Sequence, residues 1–421
     1  MVLLQTVQHY SPPAETIAVI VANAVPLVGV VFLGWDLAAL VFLYWFELGI
    51  LSFWALLRAL FAGRPSELDG DPLIAGAVAR KRTTIRLPVT AVGIRLSTLP
   101  VIAVAIPILT LVWFFAGVVT VGVVGTETPD PDALAMVVLA GFGIFCSEGA
   151  STLVEYFYRG GYREQSAQTA IQGVFIRGAV IGVGGMLTAV FVGLSAGAVE
   201  PDDPLTAVDP TVVGLPLLVG IVLVKFGFDL GGLYRERLVA FDEASYFELG
   251  WAYEPPSEDS VLPAETVTER LRPTGVGRAV GGVSASNIRR HPGALGVGGF
   301  ILLVSLLFVM GGVWDTVLVL VALALVVPMM LLTLDYWLRY GGIEYRVSGD
   351  AIVAYDRLFR TRLWRIEPWD ESGLRIERGR LHGLLDTSTV VIECSDRDIR
   401  LPHVRNPDPI VDVFDRRVSG V

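Results

Sequence analysis

The sequence predicts a polytopic α-helical membrane protein of about eight transmembrane helices, followed by a small β-rich domain. Three observations lead to this fold class. The 421 residues are 53% hydrophobic and only 18% charged, whereas soluble domains carry about 25% charged residues. Apolar stretches as long as a bilayer requires, about 20 residues, recur along the chain. After Arg339 the pattern changes to short runs of β-branched and aromatic residues separated by turns, which is typical of strands.

The predicted spans divide the chain into four parts. They cover approximately residues 17–33, 37–61, 100–124, 133–158, 171–199, 212–234, 295–313 and 316–339. The first is interpreted as a retained helix because no basic segment or cleavage site accompanies it. We therefore expect a six-helix transmembrane domain at 1–238, a polar linker rich in Pro, Gly, Ser and Glu at 239–294, a transmembrane hairpin at 295–340 and a cytoplasmic domain at 341–421. Residues 80–99 mix arginines with apolar residues, which favours either an interfacial helix or a solvated basic lead-in to the third span.

The charges between the spans predict the orientation of the chain. The connections after spans one, three, five and seven contain acidic residues and no Lys or Arg, whereas the other connections are rich in Arg. Because positively charged loops remain on the cytoplasmic side, both termini are expected in the cytoplasm of a cell-membrane protein.

Several polar side chains fall inside the predicted spans. A charge at the centre of a bilayer costs at least about 2.5–3.5 kcal/mol, so such residues must face other helices. Lys225 and Asp229 are four residues apart and share a helix face, and Lys225 could pair with Glu47 or Glu148. Arg177 and Glu155 lie nearer the cytoplasmic surface, where long side chains reach water. The candidate polar centre is Asn23, Glu47, Glu148, Lys225 and Asp229.

This centre has two interpretations. In the functional one, the carboxylates and Lys225 bind a small polar solute or relay protons, as intramembrane ionisable groups often do. In the structural one, they are a buried ion pair that fixes the helix register. A transporter requires these groups to be reachable by water, whereas a structural pair requires them to be paired and dry.

The C-terminal region resembles the bacterial pleckstrin-homology-like (PH-like) domain, found in small membrane proteins where a helix hairpin precedes it. The likeness lies in Glu344–Val347, in Leu358–Phe359 with Trp364–Pro368, in Leu384–Val390, and in the closing Leu401–Val404 with Asn406–Asp408. It implies a small barrel-like sheet closed by a helix. Four arginines cluster in this region and could contact anionic lipid headgroups or a partner, or form a solvated face of an assembly domain: Arg357, Arg360, Arg362 and Arg365.

Residues 15–235 resemble an uncharacterised family of multi-pass membrane proteins that is common in halophilic archaea. The likeness lies in Asn23-x2-Pro26-x2-Gly29, in Tyr44–Glu47 and in Lys225-x3-Asp229. The composition is compatible with a salt-adapted prokaryote, because the chain has a net charge of −10 and its basic residues are almost all Arg. The resemblance implies no activity.

The sequence offers little support for an enzyme. None of the four histidines lies in a predicted span, and no HExxH, phosphate-binding loop or dinucleotide-binding motif occurs, so no metal or cofactor is expected. Cys146 and Cys394 are expected to lie far apart. Nucleic-acid binding is not expected. We expect a non-enzymatic membrane scaffold or envelope-associated protein whose C-terminal domain docks on lipid, on a partner or on its own helices. The alternative is a small-solute or proton-coupled transporter that uses Glu47, Glu148, Lys225 and Asp229.

Overall fold

A computed structural model describes residues 14–66, 72–87, 92–124, 131–195, 210–244, 261–264, 266–378, 380–394 and 398–415. These residues form two compact units. The first comprises the described parts of residues 1–64 and 102–256, and the second comprises those of 65–101 and 257–421. The second unit is therefore assembled from two separate stretches of the chain.

The helices of the described residues account for most of both units. In chain order they are α1 (Ala14–Leu33), α2 (Leu37–Leu60), α3 (Ala75–Ala79), α4 (Thr98–Val124), α5 (Pro131–Ser151), α6 (Ala167–Ser195), α7 (Pro210–Leu233), α8 (Arg235–Ala244), α9 (Gly275–Val280), α10 (Ala285–Arg290), α11 (Pro292–Met310), α12 (Trp314–Tyr336), α13 (Arg380–Leu385) and α14 (Asp408–Asp415). A π-helical turn continues α5 over Thr152–Tyr158, and another continues α12 over Trp337–Gly341.

Within the described residues, seven helices are long and apolar enough to cross a membrane. They overlap the second to eighth predicted spans, which indicates a polytopic membrane protein. The first predicted span coincides with α1, whose apolar stretch, Val19–Leu33, is shorter. Eight spans therefore remain a prediction.

Helix α2 is the central helix of the first unit. The Asp36 side chain caps its first turn by accepting a hydrogen bond from the main-chain N–H of Ala39, at 3.1 Å. Its residues Val41 and Leu48 are buried against α4, α6 and α7, and Leu217 of α7 belongs to the same core. The large apolar side chains that remain exposed are those that lipid would cover in a membrane protein.

Two tryptophans and two glycines join α2 to α4. The rings of Trp45 and Trp113 stack with their centroids 4.5 Å apart. Each indole N–H donates to the main-chain carbonyl of the other tryptophan, at 2.9 and 3.1 Å. A Cβ atom at Gly117 would lie 2.4 Å from the indole nitrogen of Trp45, and one at Gly49 would lie 2.8 Å from that of Trp113. Only glycine leaves room for this reciprocal contact.

The second unit contains a helix hairpin, α11–α12, and nine short strands within the described residues. The strands are β1 (Thr84–Arg86), β2 (Gly93–Arg95), β3 (Val267–Leu271), β4 (Ile343–Ser348), β5 (Ile352–Asp356), β6 (Thr361–Ile366), β7 (Glu371–Glu377), β8 (Ser388–Cys394) and β9 (Asp398–Val404). Strands β1 and β2 form an antiparallel hairpin.

The remaining strands form two antiparallel sheets. One has the order β3-β4-β5-β6 and the other the order β7-β8-β9. Their buried faces enclose one apolar core, with Tyr345, Ile352, Ile392 and Leu401 almost completely buried. Helix α14 contributes Ile410 to this core through its apolar face. The strands predicted after Arg339 and the closing helix are therefore present.

The structure differs from the sequence-based expectation in two segments. The interfacial helix considered for residues 80–99 is absent among the described part of that stretch, which instead contains the β1–β2 hairpin and the beginning of α4. Part of the expected linker at 239–294 is ordered: β3 pairs with β4, with Leu271 opposite Tyr345. Composition did not indicate this strand, because β3 (VTERL) is mostly exposed and its stability comes from the neighbouring strand.

Candidate functional site

The candidate site of the first unit is a buried ionic contact between three helices. Glu47 of α2 accepts a hydrogen bond from the ammonium group of Lys225 on α7. The same carboxylate oxygen, Oε1, lies 3.4 Å from Nη2 of Arg177 on α6. The exposed fractions of the three side chains are 9% for Glu47, 24% for Lys225 and 14% for Arg177. One carboxylate therefore joins α2, α6 and α7.

Close packing of α6 brings Arg177 to this position. A Cβ atom at the next residue, Gly178, would lie 2.7 Å from the side chain of Val112 and 3.4 Å from that of Leu48. A Cβ atom at Gly182, one turn further along α6, would lie similarly close to the ring of Phe115. This contact agrees with the small-residue spacing in α6, since small residues let membrane helices approach closely.

A second polar contact joins α1 to α7. Nδ2 of Asn23 donates to Oδ2 of Asp229 and to the main-chain carbonyl of Val19, both at 2.9 Å. Asn23 is 3% exposed, and its Oδ1 has no hydrogen-bond partner among the described residues. The hydroxyl of Thr16 on α1 lies 3.0 Å from that of Tyr234, the residue that follows α7.

Tyr44 belongs to this centre as well. It lies three residues before Glu47 on α2, is buried, and its ring centroid is 5.9 Å from the ammonium nitrogen of Lys225, within the range of a cation–π contact. In the sequence, Tyr44 stood out only as part of the Tyr44–Glu47 family pattern. Its spacing from Glu47, which places both on one helix face, was the available signal.

The centre contains two cations and two carboxylates. Lys225 and Arg177 share the carboxylate of Glu47, and the carboxylate of Asp229 accepts from Asn23. Such contacts can hold helices in register, because polar partners in the protein replace water. The same centre could also release one of these groups to bind a solute. The geometry of the contact fits both the structural and the solute-binding interpretation.

Two carboxylates that the sequence places in the spans, Glu148 and Glu155, lie outside the contact of Glu47 with Lys225 and Arg177. Glu148 of α5 is half-buried and forms no ion pair with any described residue. Of the two partners considered for Lys225, the structure brings Glu47 to it. Glu155, in the π-helical turn, is exposed.

The arginines predicted to contact headgroups or a partner belong to the second unit. Arg365 is paired within the unit, with Asp350 at 3.1 Å and with Glu367 at 2.6 Å. Arg357 lies 3.9 Å from Glu344.

The other two arginines are exposed. Arg362 donates to the main-chain carbonyl of Val261 at 3.1 Å. Arg360 has a positive φ of 56° at the tip of the β5–β6 turn, and no described residue forms an ion pair with it. The guanidinium groups of Arg360 and Arg362 thus remain accessible.

The structure also contains buried charges that sequence analysis did not select. Lys81 and Asp356 form an ion pair of 2.6 Å with side chains 8% and 0% exposed. Asp335 of α12, also 0% exposed, accepts hydrogen bonds from Arg339, at 2.6 and 2.9 Å, and from the main-chain N–H of Ile74 at 2.6 Å. The contacts of Lys81 with Asp356 and of Ile74 with Asp335 attach residues 72–87 to the rest of the second unit. These two contacts join residues too distant in sequence for any local pattern to indicate them, whereas Arg339 and Asp335 lie one helix turn apart.

Glu344 is a carboxylate of the second unit whose pKa is lowered by its partners. Burial acts to raise the pKa of Glu344, but hydrogen bonds from Arg272 and Arg346 outweigh it and hold the pKa below its ordinary value. These bonds are 2.9 Å from Nε of Arg272 and 3.2 Å from Nε of Arg346. Within the described residues, no group of three or more His, Cys, Asp or Glu side chains is placed to hold a metal ion.

Comparison with known proteins identifies a family for the N-terminal region. No curated protein and no solved structure matches the chain. One family matches residues 6–245, which is more than half of the sequence and includes Asn23, Glu47, Lys225 and Asp229. Its members are described only as a family of unknown function. The chain therefore belongs to the Family of unknown function (DUF6498).

Proposed function

We propose that this protein is a non-enzymatic membrane scaffold whose N-terminal helices are held in register by the polar centre. The observation that carries this proposal is the pairing of Glu47 with both Lys225 and Arg177 in a largely buried position. A buried ion pair constrains which helix faces meet, since any rotation would leave a charge without a partner in lipid. The deciding experiment is a double-mutant cycle on Glu47 and Lys225, in which a structural pair gives a large coupling free energy.

The proposed membrane disposition has eight spans with both termini in the cytoplasm. The charge asymmetry of the connections supports it, and the acidic, Arg-rich composition supports a salt-adapted prokaryotic source. The two native cysteines allow a test in intact cells. Cys394 lies in β8 and Cys146 in the apolar helix α5.

A membrane-impermeant maleimide should label the protein only after the cells are opened. Labelling should then disappear in Cys394→Ser and persist in Cys146→Ser. Labelling of Cys394 in intact cells would contradict the proposed orientation.

The C-terminal domain is proposed to be a PH-like docking domain. Its six strands, β4–β9, form with β3 two antiparallel sheets around one core, and α14 packs against that core. This arrangement supports the resemblance noted in the sequence. The accessible Arg360 and Arg362 could contact anionic headgroups, each contributing about 1 kcal/mol near a charged surface.

Trypsin tests this docking, because it cleaves after exposed arginines. Cleavage after Arg360 should be slower in nanodiscs that contain phosphatidylglycerol than in phosphatidylcholine nanodiscs, and high salt should remove the difference. Equal rates in both lipids would exclude a contact between this turn and anionic headgroups.

A small-solute or proton-coupled transporter is the second candidate. It is favoured by two details of the centre: the Lys225 side chain is 24% exposed, and Oδ1 of Asn23 is buried without a partner among the described residues. In proteoliposomes, a transporter would carry a proton current that Glu47→Gln abolishes. A scaffold would carry no such current.

A further inference from the structure

The second unit contains a small polar cavity that lies apart from the polar centre. Its volume is about 50 Å³, and its walls come from α10, the end of α12, α13 and strands β7–β9. A single water needs roughly 10–15 Å³, whereas sites for drug-sized ligands begin at about 300 Å³. The cavity therefore suits a group larger than one water and much smaller than an organic cofactor.

The charges that line the cavity are predominantly positive. Arg290 and Arg400 both line it, and Glu377 is the carboxylate in its wall. Glu377 is already engaged: it accepts from Arg400 at 3.1 Å and lies 3.3 Å from Nη2 of Arg375. Arg290 forms no ion pair with the residues that the structure describes. One guanidinium at this cavity is therefore left for a ligand of negative charge.

Uncharged donors surround the same space. Tyr336 lines the cavity and is only 4% exposed, and its hydroxyl has no hydrogen-bond partner within the described chain. A buried hydroxyl without a partner has lost its hydrogen bonds to water, and a ligand oxygen would restore one. Ser286 lines the cavity from α10. Burial, and secondly the neighbouring His382, lowers the pKa of His403 to about 4, and burial also lowers the pKa of His382. Both rings are therefore neutral at neutral pH and add no charge to the cavity wall.

We propose that this cavity binds a phosphate group, with Arg290 as its principal ligand and Tyr336 and Ser286 as hydrogen-bond donors. A phosphate suits the site better than a carboxylate does, because its oxygens can accept bonds from an arginine and several hydroxyls at once. Tyr336 and Tyr340 lie at the end of the membrane helix α12 and also line the cavity. Aromatic residues at helix ends lie at the level of lipid headgroups. The phosphate can therefore come from solution or from an anionic phospholipid.

Calorimetric titration of the full chain in detergent tests the site with two probes. The probes are inorganic phosphate and short-chain phosphatidic acid, with short-chain phosphatidylcholine as the lipid control. Saturable binding of at least one probe is expected. Arg290→Gln should weaken it about tenfold, as expected for loss of a charge-assisted bond.

The adjacent Arg289 provides a matched control, because it is exposed on the same short helix but does not line the cavity. Arg289→Gln should change the affinity less than about twofold. Tyr336→Phe keeps the ring and removes only the hydroxyl, and should also weaken binding.

Each outcome decides the proposal. Binding of phosphate that Arg290→Gln weakens identifies a soluble anion, whereas binding of phosphatidic acid alone identifies a lipid headgroup. The proposal is overturned if neither probe binds at millimolar concentration, or if both arginine variants weaken binding equally, since that result indicates only general surface charge.

Discussion

Replacing Glu47 by Gln should destabilise the helical unit more than any other single change in the polar centre. The Glu47 carboxylate is 9% exposed, and its Oε1 contacts both Lys225 and Arg177. The neutral amide would leave two cations facing each other with no carboxylate between them. Breaking a buried ion pair in this way costs about 3–5 kcal/mol.

Replacing Lys225, the partner of Glu47, should destabilise the helical unit less. Lys225→Met leaves Glu47 next to Arg177, 3.4 Å away, so the carboxylate remains neutralised. The expected loss is about 1–3 kcal/mol, the value of a hydrogen bond to a charged group. The double variant keeps one cation without a carboxylate and should cost less than the sum of the two single changes, with a coupling of about 1–3 kcal/mol.

These free energies are measured by denaturant unfolding in detergent micelles, followed by tryptophan fluorescence. The matched control is Glu148→Gln, which neutralises another half-buried carboxylate that has no ion-pair partner in the described structure. Its effect should stay within about 0.5 kcal/mol. If Glu47→Gln is no more destabilising than this control, the centre does not hold the helices together, and solute binding becomes the better explanation.

Three further predictions concern the second unit. Lys81→Met should lower its free energy of unfolding by about 3–5 kcal/mol, because Asp356 would remain fully buried without a cation. Gly282→Ala should cost about 1–3 kcal/mol, since the new Cβ would lie 2.5 Å from Cα of Thr333. The free energy of unfolding should fall by about 1 kcal/mol when the pH is lowered from 7.5 to 5.5. The pKa of His403 is about 4 in the folded chain and ordinary in the unfolded chain. The unfolded chain therefore binds more protons over this range, which favours unfolding.

Each of these has a specific control in the same unfolding measurement. Adding Asp356→Asn to Lys81→Met should recover much of the lost stability, because it removes the buried charge. In the native chain the N–H of Leu358 donates to Oδ1 of Asp356 at 2.9 Å, and the side-chain amide oxygen of Asn can still accept this bond. Gly275→Ala should be tolerated, since the nearest atom to its Cβ is 3.8 Å away. His403→Gln should reduce the dependence of the unfolding free energy on pH. If that dependence is unchanged, groups other than His403 cause it.

The sequence predicted those parts of the structure that depend on residues close together in the chain. A membrane span is a sum of local apolar contributions, and seven of the eight predicted spans correspond to helices of sufficient length and apolarity among the described residues. The change of period after Arg339 likewise predicted strands that are present. By contrast, β3 was placed in a linker, because VTERL becomes a strand only through pairing with β4.

By itself, the sequence determined that Lys225 and Glu47 need partners inside the bundle, because lipid cannot solvate a charge. Only the tertiary structure decided that Lys225 pairs with Glu47 and that Arg177 shares the same carboxylate. That choice depends on the rotation of α7 and on the close approach of α6 to α2 and α4, which Gly178 allows. The Lys81–Asp356 pair, 275 residues apart in sequence, shows the same limit. Contacts at such a separation are selected by the packing of whole elements, which local periodicity and composition do not encode.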